Sequence, residues 1–197
     1  MEITSKMVKE LRDKTNAGMM DCKKALSETG GDMEKAVDLL RQKGLAVAQK
    51  RAGRATSEGT IQTYVHAGGK LGVMVEVGCE TDFLAKTDSF IDFAKNIAMR
   101  IAAVNPVSIA REDVPGELVE REREIFKKQA LESGKPENIV DKIVSGKMEK
   151  FYSEVCLMEQ KYVKDPDLSI QDLLNEIVAS LGENITIKRF CRFQVGG

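Results

Sequence analysis

The sequence predicts an α+β fold in which a small helical module precedes a larger body of helices and three strands. Apolar residues recur at helical spacing over most of the chain, but they alternate with polar ones in residues 60–66, 71–77 and 184–195. The helices and strands come in runs instead of strict alternation, which is typical of an α+β core. We therefore expect a three-stranded antiparallel sheet packed with helices.

The N-terminal part of the chain reads as three short helices separated by turn-forming residues. Asn16 should lie in the break after the first helix, because Asn tolerates a positive φ. Gly30 should end the second helix and Gly44 the third. A separate linker helix is expected over residues 45–54. We predict two domains: a helical module with its linker helix in residues 1–54, and an α+β core in residues 55–197.

The predicted core begins with a β-hairpin that turns at residues 67–70. Four further helices are expected, at residues 88–104, 113–133, 137–158 and 169–181. The last strand then alternates regularly, which would put one set of side chains on a single face: Ile185, Ile187, Arg189, Cys191 and Phe193. This strand is a candidate edge or interface strand.

The charge and hydropathy of the chain exclude several classes of protein. The formal net charge of −1 gives no overall basic field for holding nucleic acid. The sequence has no apolar run near the roughly 18–20 residues that span a bilayer, and its N-terminus has no signal-peptide pattern. We expect a cytoplasmic protein that contacts neither a membrane nor nucleic acid directly.

The chemistry of a metal centre or an enzyme is missing from the sequence. The chain has one His and four widely spaced Cys, which does not predict a zinc site. It carries neither a phosphate-binding glycine motif nor a nucleophile motif. We therefore expect no cofactor, no metal and no catalytic residue, and we interpret the chain as an interaction protein.

The segment 79–86 combines an aromatic residue with two acids at a surface connection. It follows an apolar strand that ends at Gly78 and precedes the helix predicted at Asp88. A Phe at such a place either folds back onto the core of its own chain or is held out for a partner. The residues alone leave both explanations open for Phe83.

Three segments together resemble the bacterial elongation factor Ts family. They are Leu-Arg-Asp-Lys-Thr-Asn-Ala-Gly-Met-Met-Asp-Cys-Lys-Lys-Ala-Leu at 11–26, Glu-Val-Gly-Cys-Glu-Thr-Asp-Phe-Leu-Ala-Lys at 76–86, and Leu-Gly-Glu-Asn-Ile at 181–185. The chain departs from the family pattern at Asn16, Gly78 and Leu84, where the family usually has Gly, Asn and Val. None of these departures alters the Thr-Asp-Phe centre.

The resemblance implies a guanine-nucleotide exchange factor that binds elongation factor Tu in its GDP form and weakens the hold on Mg²⁺ and nucleotide. It implies an N-terminal module with a ubiquitin-associated-like three-helix fold. The residues expected to displace Mg²⁺ in the partner are Thr81, Asp82, Phe83 and Leu84. The residues expected to bind the partner are Leu11, Arg12, Thr15, Ala17, Gly18, Met19 and Met20.

The chain looks like the short form of this family, with one core unit and no coiled-coil insertion, which implies a homodimer formed through the core. Cys191 near a two-fold axis could cross-link two chains, and a reduced thiol is the other interpretation. The rival function is a ubiquitin-associated-like adaptor without exchange activity. It would bind another protein, or RNA through a basic set: Lys23, Lys24, Lys50, Arg51 and Arg54.

Overall fold

The computed structural model describes residues 3–15, 17–134 and 136–196, and within them it confirms the α+β class. The described residues form eight α-helices and three strands, which are, in chain order, α1 (Ser5–Thr15), α2 (Met19–Glu28), α3 (Met33–Arg51), β1 (Glu58–Val65), β2 (Leu71–Cys79), α4 (Asp82–Ala85), α5 (Asp88–Val104), α6 (Gly116–Glu132), α7 (Glu137–Val155), α8 (Ile170–Leu181) and β3 (Ile185–Gln194). No helix in these residues is both long and apolar enough to span a membrane.

The chain divides into two compact units, one of residues 1–99 together with 171–197 and the other of residues 100–170. The predicted boundary between residues 54 and 55 lies inside the first unit and stays a prediction. The position of Asn16 is outside the described residues.

The N-terminal module has its own small core. Leu11, Cys22 and Leu26 are fully buried there, one from α1 and two from α2. Asp32 caps α3 by accepting a hydrogen bond from the backbone N–H of Lys35, as its residue type predicts. The three helices therefore meet around a single apolar cluster, which fixes the shape of the surface that they present.

The prediction that the third helix ends at Gly44 is wrong. Helix α3 continues through Gly44 to Arg51, so the predicted linker helix is its second half. A Cβ added at Gly44 would lie 3.6 Å from the Cβ of Ala179 on α8, so the buried glycine marks a close approach of two helices. Here Gly serves packing between α3 and α8 instead of helix termination, at a cost of about 1 kcal/mol relative to Ala.

The sheet has the order β1-β2-β3, and both pairs are antiparallel. Strand β2 lies in the centre, and Val73, Val75 and Val77 on it are buried. Gly68 and Gly69 turn the β1–β2 hairpin with φ of 92° and 69°, as the predicted turn requires.

The predicted single face of the last strand is wrong beyond Ile187. Glu76 pairs with Arg189 while Val77 pairs with Ile187, so Lys188 is an extra residue in β3 and forms a β-bulge. The bulge reverses the alternation: Phe190 now lies opposite the buried Val75. Cys191 and Phe193 are exposed, whereas Ile185 and Ile187 are buried.

The unit of residues 100–170 contains a helical hairpin, formed by the two helices predicted at residues 113–133 and 137–158. Helices α6 and α7 contact one another and are joined by a short connection, which makes them antiparallel. Ala130, Val140, Val144 and Met148 form the buried seam between them. Beside the hairpin, Arg111 binds the carboxylates of Glu149 and Glu159.

Candidate functional site

The candidate site is built on α4, a one-turn helix that follows β2 directly. The sequence predicted a plain connection here, but Asp82–Ala85 is helical and lies against β1 and β2. Thr81 is its N-cap: the backbone is extended, and the hydroxyl accepts a hydrogen bond from the N–H of Leu84 at 3.2 Å. This cap sets where the helix begins and hence the directions in which Phe83 and Leu84 leave the backbone.

Phe83 and Leu84 leave α4 on different faces, one toward solvent and one toward the core. Leu84 is 5% exposed and anchors the helix in the core, whereas Phe83 is 79% exposed. Of the two explanations that the residues left open, the structure therefore excludes a Phe83 folded onto its own chain. An exposed Phe on a fixed helix is available to a partner.

Asp82 forms an ion pair on the same turn. Its carboxylate accepts a hydrogen bond from the ammonium of Lys86 at 2.7 Å, across the i,i+4 spacing of a helix. That hydrogen bond and the positive charge of Lys86 lower the pKa of Asp82, and the same hydrogen bond and the negative charge of Asp82 raise the pKa of Lys86. Both side chains are exposed, so Asp82 presents an ionised carboxylate at neutral pH beside Phe83.

The base of α4 is tied to the turn between α8 and β3. Glu183 in that turn accepts two hydrogen bonds from Thr81, one from the backbone N–H at 3.0 Å and one from the hydroxyl at 2.7 Å. In return, Glu80 accepts the backbone N–H of Asn184 at 2.6 Å. Two consecutive residues on one segment thus pair with two consecutive residues on another, about a hundred positions away in sequence.

Glu80 also links this turn to the end of α3. Its carboxylate lies 3.7 Å from Arg51 and 3.5 Å from Arg54, and the amide of Asn184 donates to the carbonyl of Arg54 at 2.8 Å. The hydrogen bond from the backbone of Asn184 lowers the pKa of Glu80 most, followed by the charge of Arg54. Two of the basic residues predicted for RNA binding therefore already face a carboxylate of their own chain.

The predicted partner-binding residues of the module separate into three locations. Arg12, Met19 and Met20 line one shallow groove on α1 and α2, which Ile3, Lys9 and Lys23 also line. Met19 is 58% and Met20 75% exposed, so this groove has an apolar floor that water reaches. It is the surface of the module with the composition of a docking site.

The second location is a cleft of about 410 Å³ beside α3 and α8, lined in part by Thr15, Ala17 and Gly18. Thr15 is nonetheless buried, and its hydroxyl donates to the carbonyl of Leu11 at 2.8 Å. Leu11 itself lies in the module core. Leu11 and Thr15 therefore support the surface from below, and the structure brings together as exposed neighbours only part of the predicted set.

Comparison with known proteins decides which family this arrangement represents. The profile of the family described as Elongation factor TS matches residues 1–197. The chain belongs to the elongation factor Ts family. The predicted resemblance is thus confirmed, and membership makes the chain a translation elongation factor.

Several curated proteins named Elongation factor Ts are similar over nearly their full length. The protein from Desulfotalea psychrophila is 74% identical over 196 residues, which is 100% of both chains. The protein from Syntrophobacter fumaroxidans is 63% identical, covering 100% of this chain and 98% of its own. The protein from Carboxydothermus hydrogenoformans is 60% identical, covering 98% of this chain and 89% of its own.

The sequence did not identify the residues that orient the elongation factor Ts loop. Glu183 and Asn184 stood within one of the matching segments, but nothing in a single sequence pairs them with Thr81 and Glu80. A charged residue after a helix is ordinarily solvated. The pairing becomes visible when the sheet brings the ends of β2 and β3 side by side, as the partners Cys79 and Ile185 do.

Proposed function

We propose that this chain is a guanine-nucleotide exchange factor that binds elongation factor Tu with GDP in the cytoplasm and promotes GDP release, so that GTP can bind. It catalyses no chemical step of its own. The observation that carries the proposal is Phe83, 79% exposed on a helix whose next residue is buried. Covering this side chain with a partner would remove its apolar surface from water, which favours binding.

The mechanism follows from how a GTPase holds its metal. Mg²⁺ bridges the phosphates and is held by a few protein oxygens and waters in a strict octahedron. A Phe inserted between helices of the partner displaces those oxygens without any chemistry. Burial of one Phe is worth about 1.5–3 kcal/mol, which corresponds to roughly 10–150-fold in an equilibrium constant. A larger acceleration of GDP release must draw on other contacts.

Those other contacts are assigned to the module of residues 1–54 and to the sheet. The groove with Arg12, Met19 and Met20 combines exposed apolar side chains with three basic residues, Lys9, Arg12 and Lys23, and one acidic residue, Asp13. Ala17 and Gly18 take part at the neighbouring cleft. Leu11 and Thr15 are buried, so their part is to hold the surface in shape.

In this proposal Thr81 and Leu84 hold α4 in place. Phe83 is the wedge, the side chain inserted into the partner, and Asp82 makes polar contact beside it. Because Lys86 keeps the pKa of Asp82 low, the carboxylate is charged when the partner approaches. It can then compete for hydrogen-bond donors near the Mg²⁺ site of the partner.

We further propose that two copies of the chain associate through the outer face of the sheet. This face collects exposed apolar side chains from all three strands: Ile61, Val65, Met74 and Phe193. Cys191 lies opposite Met74 on the same face and is exposed, so the two thiols of a dimer could approach one another. A stable dimer buries about 800 Å² from each partner, which a three-stranded face can supply.

The test uses elongation factor Tu loaded with fluorescent GDP and follows release by stopped flow. The wild-type chain should accelerate release, and Phe83→Ala should lower the limiting rate by about tenfold or more. Val163→Ala is the matched control, because Val163 is also exposed and apolar but lies in the other compact unit.

Two results would count against the proposal. If Phe83→Ala releases GDP as fast as the wild type, Phe83 is not the wedge. If the wild type itself does not accelerate release, the exchange function is wrong. Binding of RNA or of another protein by this chain would then favour the adaptor, and steep salt dependence would point to RNA.

A further inference from the structure

Helix α4 is too short to hold its own orientation. It has four residues, and isolated helices of this length are unstable in water. Leu84 fixes its depth in the core, and Cys79 and Thr87 donate hydrogen bonds to the carbonyls of Thr81 and Leu84, but none of these contacts ties the helix to the turn before β3. If α4 tilted when the partner bound, Phe83 would move with the helix instead of displacing the groups of the partner.

The missing constraint comes from Glu183. Its two carboxylate oxygens accept the N–H and the hydroxyl proton of Thr81, at 3.0 and 2.7 Å. Because the Thr81 hydroxyl donates its proton to Glu183, its lone pairs are free to accept the N–H of Leu84. The chain of hydrogen bonds runs from Glu183 through Thr81 to Leu84, and such chains strengthen one another.

The turn that carries Glu183 is itself fixed. Gly182 takes a φ of 76° after α8, and Asn184 is buried with its backbone N–H on Glu80 and its amide on the carbonyl of Arg54. Thr81 and Glu183 thus connect α4 to the turn at residues 182–184, which is itself bound to the residue Arg54 that follows α3. We propose that Glu183 is a positioning residue that sets the orientation of Phe83 for exchange. We call the two hydrogen bonds from Thr81 to Glu183 the clamp. The role of Glu183 in exchange rests on the proposed function, whereas the clamp itself does not.

A first measurement tests the clamp without any partner. Glu183→Ala removes both acceptors, and Glu183→Gln keeps the side-chain length but leaves only one oxygen to accept. Amide hydrogen exchange at Leu84 and Ala85, whose N–H groups bond to Thr81, should become about tenfold faster in Glu183→Ala and change less in Glu183→Gln. Glu149→Ala is the matched control, because Glu149 also binds its partner Arg111 through both oxygens, in the other unit. Unchanged protection in Glu183→Ala would overturn the clamp.

A second measurement separates positioning from contact. In the GDP-release assay, Glu183→Ala should lower the rate of GDP release at saturating concentrations of this chain, the limiting rate, by about fivefold to tenfold. The concentration of this chain that gives half of the limiting rate should stay unchanged. Glu183→Gln should recover part of that rate. A higher half-saturating concentration with an unchanged limiting rate would instead make Glu183 a contact residue and overturn the proposal.

A third measurement asks whether Glu183 acts through Phe83. In a Phe83→Ala background, Glu183→Ala should change the limiting rate by less than about twofold, because the group it orients is gone. An undiminished effect in that background would overturn the positioning role. If the wild-type chain does not accelerate GDP release at all, the proposed function fails and takes the role in exchange with it. The hydrogen-exchange result still decides whether the clamp exists.

Discussion

At the scale of single residues, the site depends on two neighbouring apolar residues, one of which is exposed while the other is buried. Phe83 is exposed and Leu84 is buried, although both are large and apolar. The cap at Thr81 makes the difference, because it sets where the first turn of α4 begins and hence which side chain points inward. A cap one residue earlier would turn the helix by about 100° and put Phe83 in the position that Leu84 now occupies.

The Asp82–Lys86 pair makes a prediction about pH. The folded pKa of Asp82 is lowered, so its contribution to stability is complete above the unfolded carboxyl pKa of about 3.9 and is lost as pH falls through the folded value. Carboxyl NMR should show a midpoint for Asp82 below about 3.9. Lys86→Ala should raise that midpoint.

The control for this titration is Lys95→Ala, which removes a similar exposed pair with Asp92 on α5. It should leave the midpoint of Asp82 where it was. High salt should reduce the shift, since exposed charges are screened. A midpoint that does not respond to Lys86→Ala would contradict the assigned cause.

At the scale of elements, two backbone features shape the sheet next to the site. The bulge at Lys188 turns Phe193 and Cys191 outward, and Gly59 on β1 allows a close approach to β2. Gly59 has a φ of 149°, and a Cβ there would clash with the carbonyl of Val77. Both features lie at the end of the sheet near Cys79, after which α4 begins.

Gly59 and Gly72 give a matched pair of substitutions in one sheet. Gly59→Ala should destabilise the fold by about 2 kcal/mol or more, because strain and a clash with backbone act together. Gly72→Ala meets no atom within 4 Å and should change stability by less than about 1 kcal/mol. Urea unfolding of both variants would measure the difference, and equal midpoints would contradict it.

At the scale of the whole molecule, the outer face of the sheet exposes apolar side chains that association with a second copy would bury. Strand β2 carries buried Val75 on one side and exposed Met74 on the other, so the outer face also presents apolar side chains, beside the Glu76–Arg189 ion pair. Phe193, 70% exposed, is the largest side chain of the outer face. One sheet can thus be covered by its own helices on one side and by a second copy on the other.

Phe193→Asp should therefore convert a dimer into the 21.8 kDa monomer under reducing conditions. The charge would be buried without a partner, which disfavours association. Light scattering after size exclusion measures the mass, and Val163→Asp is the control at an exposed apolar position in the other unit. A wild-type chain that is already monomeric at micromolar concentration would contradict the dimer, and a mass that depends on reducing agent would implicate Cys191.

The sequence by itself determined the α+β class, the three strands, most of the helices and the family. Each of these rests on local signals: apolar period, turn residues, and short motifs read in order. It also marked residues 79–86 as unusual. The same local signals gave the wrong role for Gly44 and the wrong outer face for β3. Gly44 serves the contact between α3 and α8, and the face of β3 is reversed by the bulge at Lys188 against β2; neither can be read from a single segment.

The tertiary structure alone decided that Phe83 faces solvent while Leu84 anchors the helix, and that Glu183 holds Thr81. The second outcome depends on a pair about a hundred residues apart, which meets because β2 ends where β3 begins, at the same edge of the sheet. No periodicity within one segment encodes such a meeting. It follows from burial and hydrogen bonding summed over the whole unit, which is why the motif could be read from the sequence and its orientation could not.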